Sequence, residues 1–305
     1  MREPLKGVLA MVLACSIWGV SSIYYKQLAH VPPLEVLSHR TIWSFVFFGL
    51  ALLLQRRLGD IFRIIKTPRT LGLLALSAVM ISINWFVFIY AIQIGRAMEA
   101  SFGYYIFPIV AVAIGVIALK ERLSSAQLLA ISIAFIAVVI LGIGLGNPPW
   151  ISLILALTFG VYGVIKKQIA AGPVLSVFIE VLILLPIAVF WLFGVHYAGW
   201  SMTGVTGGVF ASNWQDSALL MFSGILTGGP LILLSYAAKR ITLTTLGLVQ
   251  YLNPTLQFLV ATFVFAESFT RWHAIAFPLI WIGLAIYSGD TWRQGKSRAK
   301  DSALV

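Results

Sequence analysis

Apolar blocks of about 20 residues recur from one end of this chain to the other, and nothing constrains its fold more. Wound as a helix, such a block crosses a hydrocarbon core of ~30 Å. In that medium the backbone must satisfy its own hydrogen bonds, so the spanning element is a helix or a closed barrel. A barrel would show short strands of alternating hydropathy, and none are present. Of the 305 residues, 60% are hydrophobic and 10% charged, against about 25% charged in soluble chains. The fold class read from this is an all-α integral membrane protein. Ten transmembrane helices are predicted, at 5–29, 34–54, 70–92, 98–119, 124–145, 149–170, 174–194, 216–237, 243–265 and 272–289. The gap 195–215 is Gly- and aromatic-rich and is expected to lie along the membrane interface.

The net charge of +11 would suggest nucleic acid as the partner of a soluble protein. Here it reports topology, because Lys and Arg collect in cytoplasmic loops. With the N-terminus in the cytoplasm, 17 cations fall inside and 3 outside (Lys26, Arg96 and Arg271), with Arg40 inside a span. The inside set includes Arg2, Lys6, Lys120, Arg122, Lys166, Lys167, Lys239 and Arg240. Both termini are therefore expected in the cytoplasm of a multi-pass inner-membrane protein. Its partners would be the lipid bilayer and a small-molecule substrate, not nucleic acid; monomer and dimer both fit. The first apolar run is too long for a cleaved signal peptide. One cysteine, Cys15, excludes a disulfide framework.

The chain repeats itself. "YYIFP" and "QYLNP" place Tyr105 and Tyr251 three residues before Pro108 and Pro254, and Glu121 and Glu267 follow those prolines by thirteen. The offset is 146, and Tyr90 recurs at the same offset as Tyr236. Upstream the offset is 141: Gly19, Lys26, Gln27 and Pro32 return as Gly160, Lys167, Gln168 and Pro173. The expected organisation is two five-helix repeats, 1–147 and 148–305, in one membrane domain. An odd number of spans per repeat inverts the second relative to the first, an arrangement that supports alternating access about a central site.

Matching interruptions in the two halves point to that site. Gly103, Pro108, Gly247 and Pro254 are candidate hinges, since proline removes a helical hydrogen bond. Trp18, Asn84, Trp85, Tyr90, Tyr105, Tyr236, Gln250, Tyr251 and Asn253 are the candidate substrate contacts, offering aromatic faces and hydrogen-bonding groups. For Asn84 an interhelical hydrogen bond is the competing role. His39, Arg40, Glu99 and Glu180 are candidates for coupling or gating, because ionisable groups within spans are costly and mark function. Their structural alternatives are that Arg40 snorkels to the interface and that Glu180 pairs with Lys166 or Lys167. His39 follows Glu35 by four residues and shares its helix face. Glu121 and Glu267 read as interface charges ending their helices. The four histidines lack metal-ligand spacing, and no metal or cofactor is expected.

The stretches "HRTIWS", "INWFVFIYAIQIGRAMEASFGYYIFP", "EVLILLP" and "TGGPLILLSYAAKRITLTTLGLVQYLNPTLQF" resemble the RarD branch of the EamA-type transporters, in the drug/metabolite transporter superfamily. The resemblance covers most of the chain. It implies ten helices in two inverted repeats and export of small organic solutes, amino acids including aromatic ones among them. The expectation is a secondary transporter rather than an enzyme; no P-loop, HExxH or GxSxG is present. A membrane enzyme would need clustered acids or histidines at one depth, and an assembly subunit would carry no solute.

Overall fold

The computed structural model describes residues 3–119, 124–146, 148–202 and 205–301. Arg2, Lys120, Glu121 and Arg122 lie outside the described residues. Nine of the described helices are long and apolar enough to cross a membrane. They are α1 (Glu3–Gln27), α2 (Pro33–Leu54), α4 (Pro68–Gln93), α5 (Ala97–Leu119), α6 (Ser125–Gly144), α7 (Trp150–Lys167), α8 (Pro173–Tyr197), α9 (Trp214–Ala238) and α12 (Arg271–Asp301). A short α3 (Gly59–Ile65) joins α2 to α4. Pro33, Pro68 and Pro173 each sit in a first helical turn, where the missing N–H has no partner to lose. The protein is thus an all-helical, multi-pass membrane protein.

The segment predicted as one span at 243–265 is broken. It forms α10 (Leu243–Gln250), α11 (Leu252–Leu259) and a π-turn at Val260–Val264. Tyr251 is the joint, and its N–H reaches back only three residues, to Leu248 O at 3.3 Å. Pro254 follows in the first turn of α11 and lacks the N–H that would bond the carbonyl of Gln250. By contrast α5 runs unbroken through Pro108.

Packing follows a repeated pattern. α5 lies along α7, and α10 and α11 lie along α1. α4 packs on α7 and α9 on α1, while α2 pairs with α8 and α6 with α12. Lipid tails are as apolar as leucine, so helices associate in a bilayer by close fit, and small residues permit it. Gly19 of α1 faces α11 so closely that an added Cβ would sit 2.6 Å from Leu256 Cβ. Its counterpart Gly160 of α7 faces α5, where an added Cβ would sit 3.4 Å from the Ala111 nitrogen.

The loop after α8 carries a two-stranded hairpin, β1 (Ser201–Met202) antiparallel to β2 (Val205–Thr206). It then folds back onto α2. Glu35 is fully buried and accepts the N–H groups of Gly208 (3.0 Å), Val209 (2.8 Å) and Phe210 (3.3 Å). An uncharged loop is held here by a charge from another helix, so its own sequence shows no sign of the anchor.

Candidate functional site

A cavity of about 450 Å³ lies between the helices. It runs from Tyr25 and Arg40, at the end where α1 finishes and α2 begins, toward Gly247 and Leu248 in the first turns of α10. α1 and α10 start at the same end of the bundle, since Arg240 Nε donates to Glu3 Oε2 at 2.9 Å. Much of the wall is built from equivalent positions of the two sequence repeats. Trp18 and Phe159, and Ser21 and Tyr162, are partners at the offset of 141. Ile81 and Thr227, Tyr104 and Gln250, Phe107 and Asn253, and Pro108 and Pro254 are partners at 146.

Arg40 is the one charged side chain on the described wall. It does not snorkel to the interface: it is 7% exposed, and its guanidinium carbon lies 4.0 Å from the centre of the Trp85 ring. A second ring, Tyr25, is 5.7 Å away. Cation–π contact with a desolvated cation is worth about 2 kcal/mol. Arg40 Nε donates to Thr227 Oγ1 at 3.0 Å, and that hydroxyl donates to the Ser223 carbonyl at 2.9 Å. No described carboxylate forms an ion pair with Arg40.

Around this cation the wall carries neutral polar groups. Asn84 donates to Leu155 O (3.0 Å) and Thr158 Oγ1 (3.1 Å), and it accepts the Tyr104 hydroxyl at 2.9 Å. It therefore fills the interhelical role while also lining the cavity. Gln257 Nε2 donates to Asn253 Oδ1 at 3.0 Å, and Gln257 Oε1 is buried without a partner among the described residues. Trp18, Trp85, Gln250, Tyr251 and Asn253 also stand on the wall, with Pro108, Gly247 and Pro254 beside them.

Other predicted site residues lie elsewhere. Tyr105 is buried, with its hydroxyl on Thr255 Oγ1 at 2.7 Å, so it joins α5 to α11; its neighbour Tyr104 faces the cavity instead. Tyr90 stacks on Phe86, and Tyr236 lies under the Arg240 guanidinium at 3.5 Å; neither lines the cavity. Gly103 faces α7, where an added Cβ would sit 2.8 Å from the Ser152 carbonyl, so its smallness serves packing within an unbroken helix. His39 stacks on Phe210 of the returning loop. The fold brings His39, Glu35 and His196 together, with ligand-type atoms within 4.8 Å of one another, a grouping that spacing along the chain conceals. Their visible role is to seat the loop, since the Glu35 oxygens hold its amides.

Glu180 is buried and pairs with Lys166 at 2.7 Å, with Ser77 at 2.5 Å and Tyr162 at 3.3 Å completing its shell. Lys166 also bonds Ser176. Tyr162 is on the cavity wall, so this ion pair stands one side chain behind it. Glu99 pairs with Arg96 at the start of α5. Glu267 reaches the same point: its carboxylate accepts the N–H groups of Ala97 (2.7 Å) and Met98 (2.8 Å). It caps a helix of the other repeat, more than ending its own. Burial raises the Glu267 carboxyl above its ordinary value, against the pull of those two N–H groups and of Lys26. Tyr104, Tyr162, Thr227 and Gln257 are site residues that residue type alone does not single out. For Tyr104 the available signal is the repeat, since it is the partner of the candidate Gln250; the partners of Tyr162, Thr227 and Gln257 are Ser21, Ile81 and Ala111, which gave no such signal.

Comparison with known proteins places the chain. The model of the EamA-like transporter family matches residues 5–143. The protein RarD of Streptomyces exfoliatus is 40% identical, covering 100% of this chain and 95% of its own length. A protein of Vibrio cholerae named "Uncharacterized transporter" is 38% identical, covering 96% of this chain and 95% of its own. The protein RarD of Escherichia coli (strain K12) is 36% identical, covering 95% and 96%. A solved crystal structure at 17% identity has the same fold, with a TM-score of 0.57 over 92% of this chain and 96% of that one. With full-length relatives at this level of identity, the chain belongs to the EamA-like transporter family, in its RarD branch.

Proposed function

We propose that this protein is a secondary exporter of small organic solutes, working by alternating access in the inner membrane. The observation that carries the reading is the cavity wall, built from equivalent positions of two sequence repeats. On this reading the broken segment 243–264 is the tenth span. The two five-helix halves, 1–147 and 148–305, are then inverted copies with both termini in the cytoplasm. The paired packing supports it, because α5 on α7 and α11 on α1 exchange under that symmetry, while α2·α8 and α6·α12 map onto themselves. The cavity runs toward the end that holds the N-terminus, and the opposite end is tied by Glu267 to α5. With the cation distribution described above, this is an inward-facing state.

Amino acids, aromatic ones included, and related metabolites or drugs are the solute class that fits a wall of rings and amides of this volume. The test is purified protein in liposomes, with uptake of labelled amino acids measured with and without an imposed pH gradient. Flux dependent on the gradient supports proton coupling, and gradient-independent flux identifies a facilitator. No flux across a broad panel would remove the transporter reading. Tyr251→Ala is expected to weaken solute affinity, and unchanged affinity would move the site away from α10 and α11.

A further inference from the structure

The treatment of cations within and at the ends of the spans is uneven. Lys166 is given Glu180, and Arg96 is given Glu99. Arg40, 7% exposed, is more deeply buried than either cation, yet no described carboxylate pairs with it. A cation within a span is costly unless something answers it. Thr227 takes its Nε and Trp85 covers one face. The two Nη groups make no hydrogen bond to a described residue, and the side chain lies on the cavity wall.

We infer that the missing partner is the solute: Arg40 is the seat of a carboxylate, and the cavity selects solutes with net negative charge on an aromatic or apolar body. This rests on the exporter reading and narrows it. A guanidinium fixed by Nε and by stacking presents a planar fork, which matches a carboxylate bidentately. The rings of Trp18, Phe88, Phe107 and Phe159 on the same wall suit an aromatic body. The described wall has no Asp or Glu, so an α-ammonium would meet rings and amide oxygens such as Gln257 Oε1 but no counter-charge. A zwitterionic amino acid is thus a poorer ligand than its deaminated analogue, and an amine lacking the carboxylate is repelled by Arg40.

Three probes of nearly one shape separate these cases: 3-phenylpropionate, phenylalanine and phenethylamine, titrated against the full-length protein in nanodiscs with tryptophan fluorescence as readout. The expected order is phenylpropionate tightest, then phenylalanine, with phenethylamine weakest. Arg40→Gln should weaken phenylpropionate by about ten- to hundredfold, the range for a lost charge-assisted bond. Arg40→Lys, which keeps the charge without the fork, should fall between. The probe order needs no variant, so it stands even if a substitution misfolds. Equal binding of phenylpropionate and phenethylamine, or full phenylpropionate affinity in a folded Arg40→Gln, overturns the inference. If liposomes carry other solutes but none of the probes bind, the anion seat falls and the exporter stands; if no solute is carried, the exporter reading itself falls.

Discussion

Glu267→Ala tests whether one side chain holds the bundle closed at the end opposite the cavity mouth. The carboxylate satisfies the Ala97 and Met98 N–H groups at 2.7 and 2.8 Å, two of the amides that a helix start leaves without partners. Charged acceptors are ordinarily credited with large energies, but burial raises this carboxyl above its ordinary value. The ionised form therefore gains little beyond the two bonds. The appropriate scale is that of a helix cap, about 1–2 kcal/mol, which is a population shift of about 5–30-fold. The reporter is Ser101→Cys, a position that is fully buried between α5 and the Pro254 carbonyl it bonds at 2.9 Å. The native Cys15 is replaced by alanine, so that the introduced thiol is the only one. In right-side-out vesicles, an impermeant maleimide should label that thiol about 5–30-fold faster in the Glu267→Ala background than in the parent. Glu267→Gln, keeping one acceptor, should give an intermediate rate. Unchanged labelling at equal thermal stability would refute the capping argument and leave closure to the surrounding apolar contacts.

Three further outcomes are expected. Asn84→Ala removes three bonds, to Leu155, Thr158 and Tyr104; at about 0.6 kcal/mol each in a bilayer, unfolding titrations should show a loss of about 2 kcal/mol. Glu180→Gln strands Lys166 and should cost about 3–5 kcal/mol, whereas Glu180→Leu with Lys166→Met should recover most of it. If that double variant folds and its flux still follows the pH gradient, Glu180 is structural; stable protein with gradient dependence lost would assign it the coupling proton. Finally, opening the far end should exchange the shapes of the two repeated helices. In the Glu267→Ala protein, amide hydrogen exchange should rise at 104–107 and fall at 250–253, and an unchanged pattern would count against exchange.

Helix positions were legible because apolar length is the whole signal in a bilayer: the span read at 34–54 is Pro33–Leu54, and that read at 98–119 is Ala97–Leu119. Facing was not. A helix apolar on all sides gives no amphipathic stripe to orient it. Tyr104 and Tyr105 are adjacent and chemically alike, yet only Tyr104 reaches the cavity, because the next residue in a helix points about 100° away. The repeat carried the missing information. Partner positions such as Phe107 and Asn253 share the wall although their chemistry differs, so the offset from Asn253 marks a place, Phe107, that residue type does not and that the sequence reading did not name. Tyr236 misled for the same reason in reverse: its likeness to Tyr90 is real, but neither side chain is on the wall. Arg40 required tertiary structure, since only the fold shows that Trp85 and Thr227 hold it inward.

The two Tyr–x–x–Pro segments have nearly the same local chemistry and different shapes, so local sequence does not decide the shape. Partners do. α5, unbroken through Pro108, is braced by Tyr104 on Asn84, by Tyr105 on Thr255, by Ser101 on the Pro254 carbonyl and by the Glu267 cap. At the equivalent positions of the other copy, Gln250 stands for Tyr104 and makes no hydrogen bond to a described residue. Gly247 stands for Ser101, has no side chain to offer, and meets nothing within 4 Å of an added Cβ. Two of the bonds that brace α5 end on α11, at Pro254 and Thr255; the break falls just before them, at Tyr251, where Gly247 and Gln250 offer no equivalent bond. On the alternating-access reading, a proline helix that is unbroken in one state and broken in the other would be the two-state element. Each bond in the set is individually weak in a bilayer, so on that reading the differential binding of a solute seated between the two copies would suffice to exchange their shapes.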